Sequence, residues 1–346
     1  MHNNPTLQLT KLYIKRFKNL ANIEFDLHND HLGILLAGKN AIGKTNSLSA
    51  LTFLLNNKKD INNKAQKFNE PVQLQLDVII KTEKSSEGRA LTIKYDGLIK
   101  KLSVKYADDP AEYDSINFPV SADLWPLLIT PDYFVSLLPS EQKKFILKLL
   151  QTHIPKNSGL YKDTGDTECI IDQKEYWNTQ RKEASAAYNL HIFSLINNGT
   201  KEINDDILDA KEKVLAFIKT NILPHLTTKI SKIDKQLNII ATQENALVNY
   251  FNNLIKEQSW DFRVDISTKS NGEQWLTISH NDVEFKYLNT VKKLEIATKF
   301  CLLFQKIAKV RVPILIDNFE RVDEDNLAMF KDLLSHHSSY ITKVKN

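Results

Sequence analysis

The sequence predicts an α/β fold that carries an antiparallel β layer and an inserted antiparallel helical hairpin. Three observations predict it. An apolar run at 32–37 meets the glycine-bearing turn Gly38-Lys39-Asn40-Ala41-Ile42-Gly43-Lys44-Thr45, and a helix-forming stretch without Gly or Pro follows. Val72, Leu74, Leu76, Val78 and Ile80 alternate at a period of two. From 170 to 258 the pattern turns helical, with apolar residues three and four apart.

The turn fits G-x-x-x-x-G-K-[ST], the phosphate-cradling P-loop, and it lies in the required order of strand, loop and helix. Gly38 and Gly43 let the main chain curl around a phosphate, and N–H groups at the helix start face its charge. Lys44 is placed to reach the β- and γ-phosphates, and the Thr45 hydroxyl to ligate Mg²⁺. A solvated lysine on an ordinary strand-to-helix turn is the competing reading.

Along the chain, residues 7–16 and 23–27 read as two strands joined by a turn at Lys18-Asn19. Residues 56–69 are polar and read as a loop. The alternating strand from Val72 is followed by Leu91, Ile93 and Tyr95, the turn Asp96-Gly97 and a returning strand towards Tyr106. Pro and aromatic residues between 118 and 139 indicate a structured connection, and Ser140 is placed as the N-cap of the helix beyond it. A polar break at 155–167 ends this first lobe. Helical runs are expected at 171–196 and 203–258, the second kinked near Pro224. Within it Ile230, Ile233, Leu237, Ile240, Leu247, Phe251 and Leu254 hold an a/d seam, and Glu244 occupies its remaining position. Strands return from Trp260, with a turn at Asn271-Gly272 and strands to 279 and over 283–287. A helix over 291–307 leads to Val312-Pro313-Ile314-Leu315-Ile316-Asp317, an apolar strand ending in an acid that could hold Mg²⁺ beside the P-loop. A helix at 325–335 and a strand at 340–344 close the chain. The expected divisions are 1–168, 169–258 and 259–346.

Composition bounds the partners. The chain has 346 residues, 42% hydrophobic and 25% charged, with a formal net charge of +4, which permits nucleic acid without demanding it. The two cysteines, Cys169 and Cys301, have no metal-ligand spacing, so a structural zinc site or disulfide framework is not expected. No signal-peptide core and no run of membrane-spanning length is apparent, so a cytoplasmic protein without a membrane partner is expected.

Three blocks resemble the ABC-type ATPases of the SMC, RecF and SbcC group. They are 12–54, with Phe17-Lys18-Asn19 and a P-loop followed by Asn46; 287–294, Tyr287-Leu288-Asn289-Thr290-Val291-Lys292-Lys293-Leu294, at the signature motif; and 314–323, at Walker B and the D-loop. The resemblance implies an ABC-type ATPase head, with ATP and Mg²⁺ as cofactors and two heads clamping two ATP molecules in a homodimer. It implies phosphate contacts from Gly38, Asn40, Gly43, Lys44, Thr45, Asn46 and Lys18, with metal held by Thr45 and Asp317. Asn289 would reach the γ-phosphate of a partner's nucleotide, and Asp323 would sit at the dimer seam. Work on DNA in recombination, repair or replication, with a nuclease or other recombination protein as partner, is implied too. The compact build and short hairpin look like versions encoded by phages or mobile elements. The sequence also departs from the family. The signature Ser and glycines are replaced by Asn289, Thr290 and Val291. The usual catalytic Glu after Asp317 is Asn318, which orients water but accepts no proton; Glu320 is the nearest carboxylate. No Q-loop glutamine or switch histidine is evident, and His336 and His337 read as solvated residues at a helix end. A slow ATPase acting on DNA and a nucleotide-responsive module without hydrolysis both fit these departures, and an ATPase component of a defence complex would share the same head.

Overall fold

The structure, a computed structural model, describes residues 4–27, 32–38, 44–55, 71–82, 85–116, 118–120, 124–154, 170–196, 212–268, 274–317, 319, 322–335, 337 and 339–344. The chain divides into two compact units, Met1–Gln142 with Leu254–Asn346, and Lys143–Asn253.

In the first unit, alternation builds an antiparallel sheet of six strands, β1 (Thr6–Phe17), β2 (Leu20–Asp26), β4 (Gln73–Thr82), β5 (Ser85–Asp96), β6 (Lys101–Tyr106) and β7 (Glu112–Tyr113), in the order β2-β1-β4-β5-β6-β7. Every second residue (Leu12, Ile14, Leu74, Leu76, Ile93, Val104) is buried, and their neighbours form the opposite face. β1 therefore pairs with β4 as well as with its hairpin partner β2. At the β5–β6 turn, Gly97 donates its N–H to Val72 O at 2.7 Å, and an added Cβ would meet Val72 N and O at 2.8 Å. Only glycine fits that contact.

A second, parallel sheet has the order β11-β12-β3, from β3 (Leu32–Gly38), β11 (Ile314–Ile316) and β12 (Ser339–Val344). Helix α1 (Lys44–Leu55) packs against both sheets, touching β3, β11 and β12 on one side and β1, β4 and β5 on the other. That position explains why Leu48, Ala50, Leu51, Leu54 and Leu55 are all buried and why Phe53 meets Tyr95 edge-on at 4.8 Å. The sheets are also stitched directly: Leu7 N donates to Arg311 O and Arg311 N to Pro5 O, each at 2.8 Å.

The expected connection before residue 139 is two short helices, α2 (Trp125–Ile129) and α3 (Pro131–Ser136). Helix α4 (Pro139–His153) follows. Its start corrects the expected cap: Pro139 occupies the first helical position and Ser140 lies inside the helix. Glu141 does the capping, its Oε2 accepting from Leu138 N at 3.0 Å. Proline there has no N–H to leave unpaired, and its fixed φ suits the first turn.

A small sheet, β8 (Phe262–Thr268), β9 (Gln274–His280) and β10 (Val283–Glu284), follows the order β10-β9-β8. Asn281 and Asp282, with φ of 47° and 64°, make the two-residue turn before β10. The strand expected over 283–287 ends at Glu284, and Phe285–Tyr287 is a 3₁₀ turn leading to the next helix. Helix α7 (Thr290–Ala308), numbered after α5 and α6 of the second unit, backs the parallel sheet, and α8 (Glu324–Leu333) follows β11. The core between them gathers Leu294, Cys301, Ile316, Phe319, Phe330 and Ile341. Burial raises the Cys301 thiol well above its ordinary pKa, so it packs as an inert apolar residue.

The second unit is helical. α5 (Ile170–Ile196) runs against α6 (Leu223–Glu257), which continues the helical residues 212–217 through a π turn at Ile218–Ile222. Where an interruption or kink was expected near Pro224, the helix carries this turn. Pro224 offers no N–H and its ring crowds the carbonyl four residues back, and widening the helix there relieves both problems. Lys174 bonds Glu244 and Arg181 bonds Asp234, so residue numbers rise on α5 as they fall on α6 and the pair is antiparallel. Ile233, Ile240, Leu247 and Phe251 of the seam are buried, Ile230 and Leu237 half-buried. Glu244, 1% exposed, is held in that seam by Lys143 Nζ at 3.0 Å and Lys174 Nζ at 2.5 Å.

The loop expected at 56–69, the break at 155–167, Cys169 and the Asn271-Gly272 turn lie outside the described residues.

Candidate functional site

The parallel sheet positions the site. β3 and β11 flank β12 in register, Ile34 and Ile316 each facing Ile341, so both strands leave the sheet at the same carboxyl edge. Gly38 ends β3 and Asp317 follows Ile316 at the end of β11, half-buried. Two strand spacings separate them laterally, roughly 10 Å. Lys44 opens α1, and Thr45 is exposed in its first turn, its carbonyl accepting from Ser49 Oγ at 2.8 Å. Asn40, Gly43, Asn318 and Glu320 lie outside the described residues.

A second turn comes to α1 from the antiparallel sheet. Asn46 Nδ2 donates to Asn19 Oδ1, so the residue after the P-loop threonine holds the β1–β2 turn. In that turn Lys18 has φ of 52°, a left-handed conformation that lysine rarely adopts and glycine adopts freely. Partial burial lowers the Lys18 pKa, and no carboxylate pairs with it among the described residues. Its Nζ lies 5.4 Å from the Phe17 ring centre. A strained, desolvated and uncompensated cation at the foot of α1 suits an anion.

Two contacts brace this edge. Tyr340 Oη donates to Leu27 O at 2.6 Å, tying β12 to the segment that leaves β2. Gln305 uses its whole side chain: Nε2 donates to Leu128 O at 2.8 Å and Val312 O at 3.0 Å, and Oε1 accepts from Val312 N at 3.0 Å. It thereby fixes how the chain enters β11 and where Asp317 emerges.

No family profile and no curated protein sequence matches the chain. Solved structures do. The recombination mediator protein RecF with ATP is 14% identical, covering 100% of this chain and 94% of that one, with a TM-score of 0.50. RecF with ATPrS is 13% identical, covering 100% and 95%, with a TM-score of 0.51. The Pyrococcus furiosus Smc head with an extended coiled coil, bound to the C-terminal domain of ScpA, is 15% identical over 98% and 90%, with a TM-score of 0.49. The chain shares the fold of the RecF structures.

Within this RecF-like fold, Asn289 is exposed and caps α7, its Oδ1 accepting from Lys292 N at 2.8 Å. Its Nδ2 has no partner among the described residues. Nearly two turns further, Glu295 is buried between Lys292 at 2.7 Å and Lys299 at 2.6 Å. Burial pushes its pKa up, but these two hydrogen bonds outweigh it and hold the carboxyl below its ordinary value. Asp323 caps α8, accepting from Asn326 N at 2.8 Å, and that bond lowers its pKa. Both Asn289 and Asp323 thus have a local structural task. His337 is half-buried beside β12 rather than solvated, and His336 lies outside the described residues.

Sequence reasoning missed Asn19, Tyr340 and Gln305. Asn19 stood within the Phe17-Lys18-Asn19 block, and its role was readable only through Asn46. Nothing in the sequence distinguishes Gln305 from a surface glutamine. No helix among the described residues is long and apolar enough to cross a membrane.

Proposed function

We propose that the chain binds Mg²⁺–ATP at the carboxyl edge of the parallel sheet and uses it to close two heads on DNA. The observation that carries this is the placement of Gly38 and Asp317, distant in sequence, at one edge of one sheet with α1 rising from it. RecF, a recombination mediator protein with the same fold, has been solved with ATP. Gly38, Asn40, Gly43 and Lys44 would cradle the phosphates, with Asn46 and Lys18 closing one side. Thr45 and Asp317 supply a hydroxyl and a carboxylate, hard oxygen donors suited to Mg²⁺. The metal would draw charge from the phosphate oxygens. Asn289 and Asp323 are assigned to the seam between two copies, and Asn318 and Glu320 to the attacking water. With Asn318 unable to take a proton, turnover is slow. A cytoplasmic protein working with a nuclease or another recombination protein fits this reading.

A second reading, a nucleotide-responsive module that hydrolyses nothing, is favoured by Asn318 and by the use of Asn289 Oδ1 as a helix cap. Phosphate release separates them. Turnover that vanishes with Lys44→Ala and rises with Asn318→Glu supports the slow ATPase; no turnover in either protein supports the module. ATP-dependent retention on DNA is expected in both cases, and its absence would overturn the DNA assignment.

A further inference from the structure

The outward face of the antiparallel sheet has no part in the nucleotide site, and it is hollow. A concavity of about 620 Å³ runs over β1, β4, β5 and β6. A second, of about 260 Å³, adjoins it and shares Gln75 and Lys94. Together they make an open trough.

Five lysines and five carboxylates share this face, and the ion pairs among them leave three of the lysines without a carboxylate bonded to them. Lys11 is bonded to Glu24 and Lys101 to Glu112. Asp77 accepts from Thr92 at 2.9 Å and Gln75 at 3.1 Å, and Asp96 from Leu98 N at 2.8 Å. Lys15, Lys94 and Lys105 are exposed, and no carboxylate pairs with them among the described residues. Asp26, on the outermost strand β2, is the remaining carboxylate beside Lys11. Lys15 is the extra residue of a bulge, because Ile14 faces Leu74 while Arg16 faces Gln73. Such a bulge re-aims a side chain away from the regular pleat. Lys94 faces Ser103, and Lys105 lies between Thr92 on β5 and Glu112 on β7, whose carboxylate is bonded to Lys101, so the two lysines are diagonal neighbours about 7–8 Å apart at the backbone.

Between these cations the floor is short and polar, with Thr92, Ser103 and Gln75, and Tyr13 lines the smaller hollow. At one end the β5–β6 turn presents Leu98 and Ile99, 75% and 63% exposed. Gly97 on Val72 and the Asp96 turn hold it. Exposed lysines, hydrogen-bonding groups between them and an aromatic ring, one side of which Lys11 Nζ covers at 5.2 Å from its centre, are what an unpaired nucleic-acid strand uses.

We infer that the outward face of this sheet binds single-stranded nucleic acid, with phosphates along Lys15, Lys94 and Lys105 and a base on Tyr13. This rests on the DNA reading above and gives it a surface. The test is fluorescence anisotropy of a short labelled oligo-dT with the full chain, at several salt concentrations. Lys15→Gln/Lys94→Gln/Lys105→Gln is expected to lower affinity at least tenfold. It should also flatten the slope of log affinity against log salt by about 2, from three lost phosphate contacts. Tyr13→Ala should weaken binding about tenfold with the slope unchanged. ATP binding by each variant checks that it is folded. Wild-type affinity in both variants overturns the surface while leaving the DNA reading standing. Tighter binding of duplex than of oligo-dT, lost in the triple variant, overturns the single-strand assignment. No binding of either form by the wild type overturns both readings.

Discussion

Asn46 Nδ2 donates to Asn19 Oδ1, joining the first turn of α1 to the β1–β2 turn. The contact links two segments assigned to the nucleotide. Removing either amide is expected to lower ATP affinity two- to tenfold, the range of one neutral hydrogen bond. Asn19→Ala and Asn46→Ala together should cost no more than Asn46→Ala alone, because Asn19 acts through Asn46. Isothermal titration checks it; additive losses would show that the residues act separately.

Lys18 sits at φ 52°, where glycine is the unstrained residue. Lys18→Gly is expected to raise the stability of the fold by about 1 kcal/mol while lowering ATP affinity about tenfold. Opposite signs in thermal melting and in ATP titration would mark a strained binding residue. A gain in stability with unchanged affinity would reduce Lys18 to a surface lysine.

Local alternation was legible where it was regular. The spacing from Val72 to Ile80 predicts β4, and the apolar run ending in Asp317 predicts the strand that places it. Pairing was not legible: that β1 lies between β2 and β4 depends on contacts far apart in sequence. The cap at Leu138 was hidden for another reason. Ser140 is the better N-cap by propensity, but Pro139 suits the first helical position and Glu141 was in reach of Leu138 N. Glu244 stood out in the sequence as the charged member of an apolar seam, but Lys143 and Lys174 come from helices the seam does not name. At the site, Gly38, Thr45 and Asp317 were readable from motifs, while the strain at Lys18 and the brace of Gln305 exist only in three dimensions.

Glu244 is buried between two lysines, and burial pushes Lys143 down to about 8, ahead of the opposing attraction of Glu244. Glu244→Ala leaves buried Lys143 facing half-buried Lys174 without a counter-charge and is expected to cost about 3 kcal/mol in urea unfolding. Lys143→Met leaves a neutral Lys174–Glu244 pair and should be neutral or stabilising. The pH dependence follows from the sign. The folded pKa of Lys143 lies below the unfolded value of 10.5, so between about 8 and 10.5 the unfolded chain binds more protons and stability rises with pH. The rise attributable to Lys143, after allowance for solvent screening, is about 1–2 kcal/mol, and Lys143→Met should remove it. An unchanged pH profile in that variant would contradict the assignment.

Gln305 satisfies Leu128 O, Val312 O and Val312 N inside the core. Gln305→Leu strands all three, and the expected loss is about 2–4 kcal/mol. Gln305→Met, of closer shape but equally without partners, should lose as much. Denaturant midpoints decide this; a variant as stable as the wild type would show that other groups reach those atoms.

The central claim is that Thr45 and Asp317 hold one metal on one nucleotide. Titrating ATP into the wild type, Thr45→Ala, Asp317→Asn and the double variant, with Mg²⁺ and again with EDTA, tests it directly. The account predicts that each single change abolishes the Mg²⁺-dependent part of the affinity, that the double adds nothing further, and that all four proteins bind alike in EDTA. Losses that add independently, or an Asp317→Asn variant that keeps its full response to Mg²⁺, would contradict it.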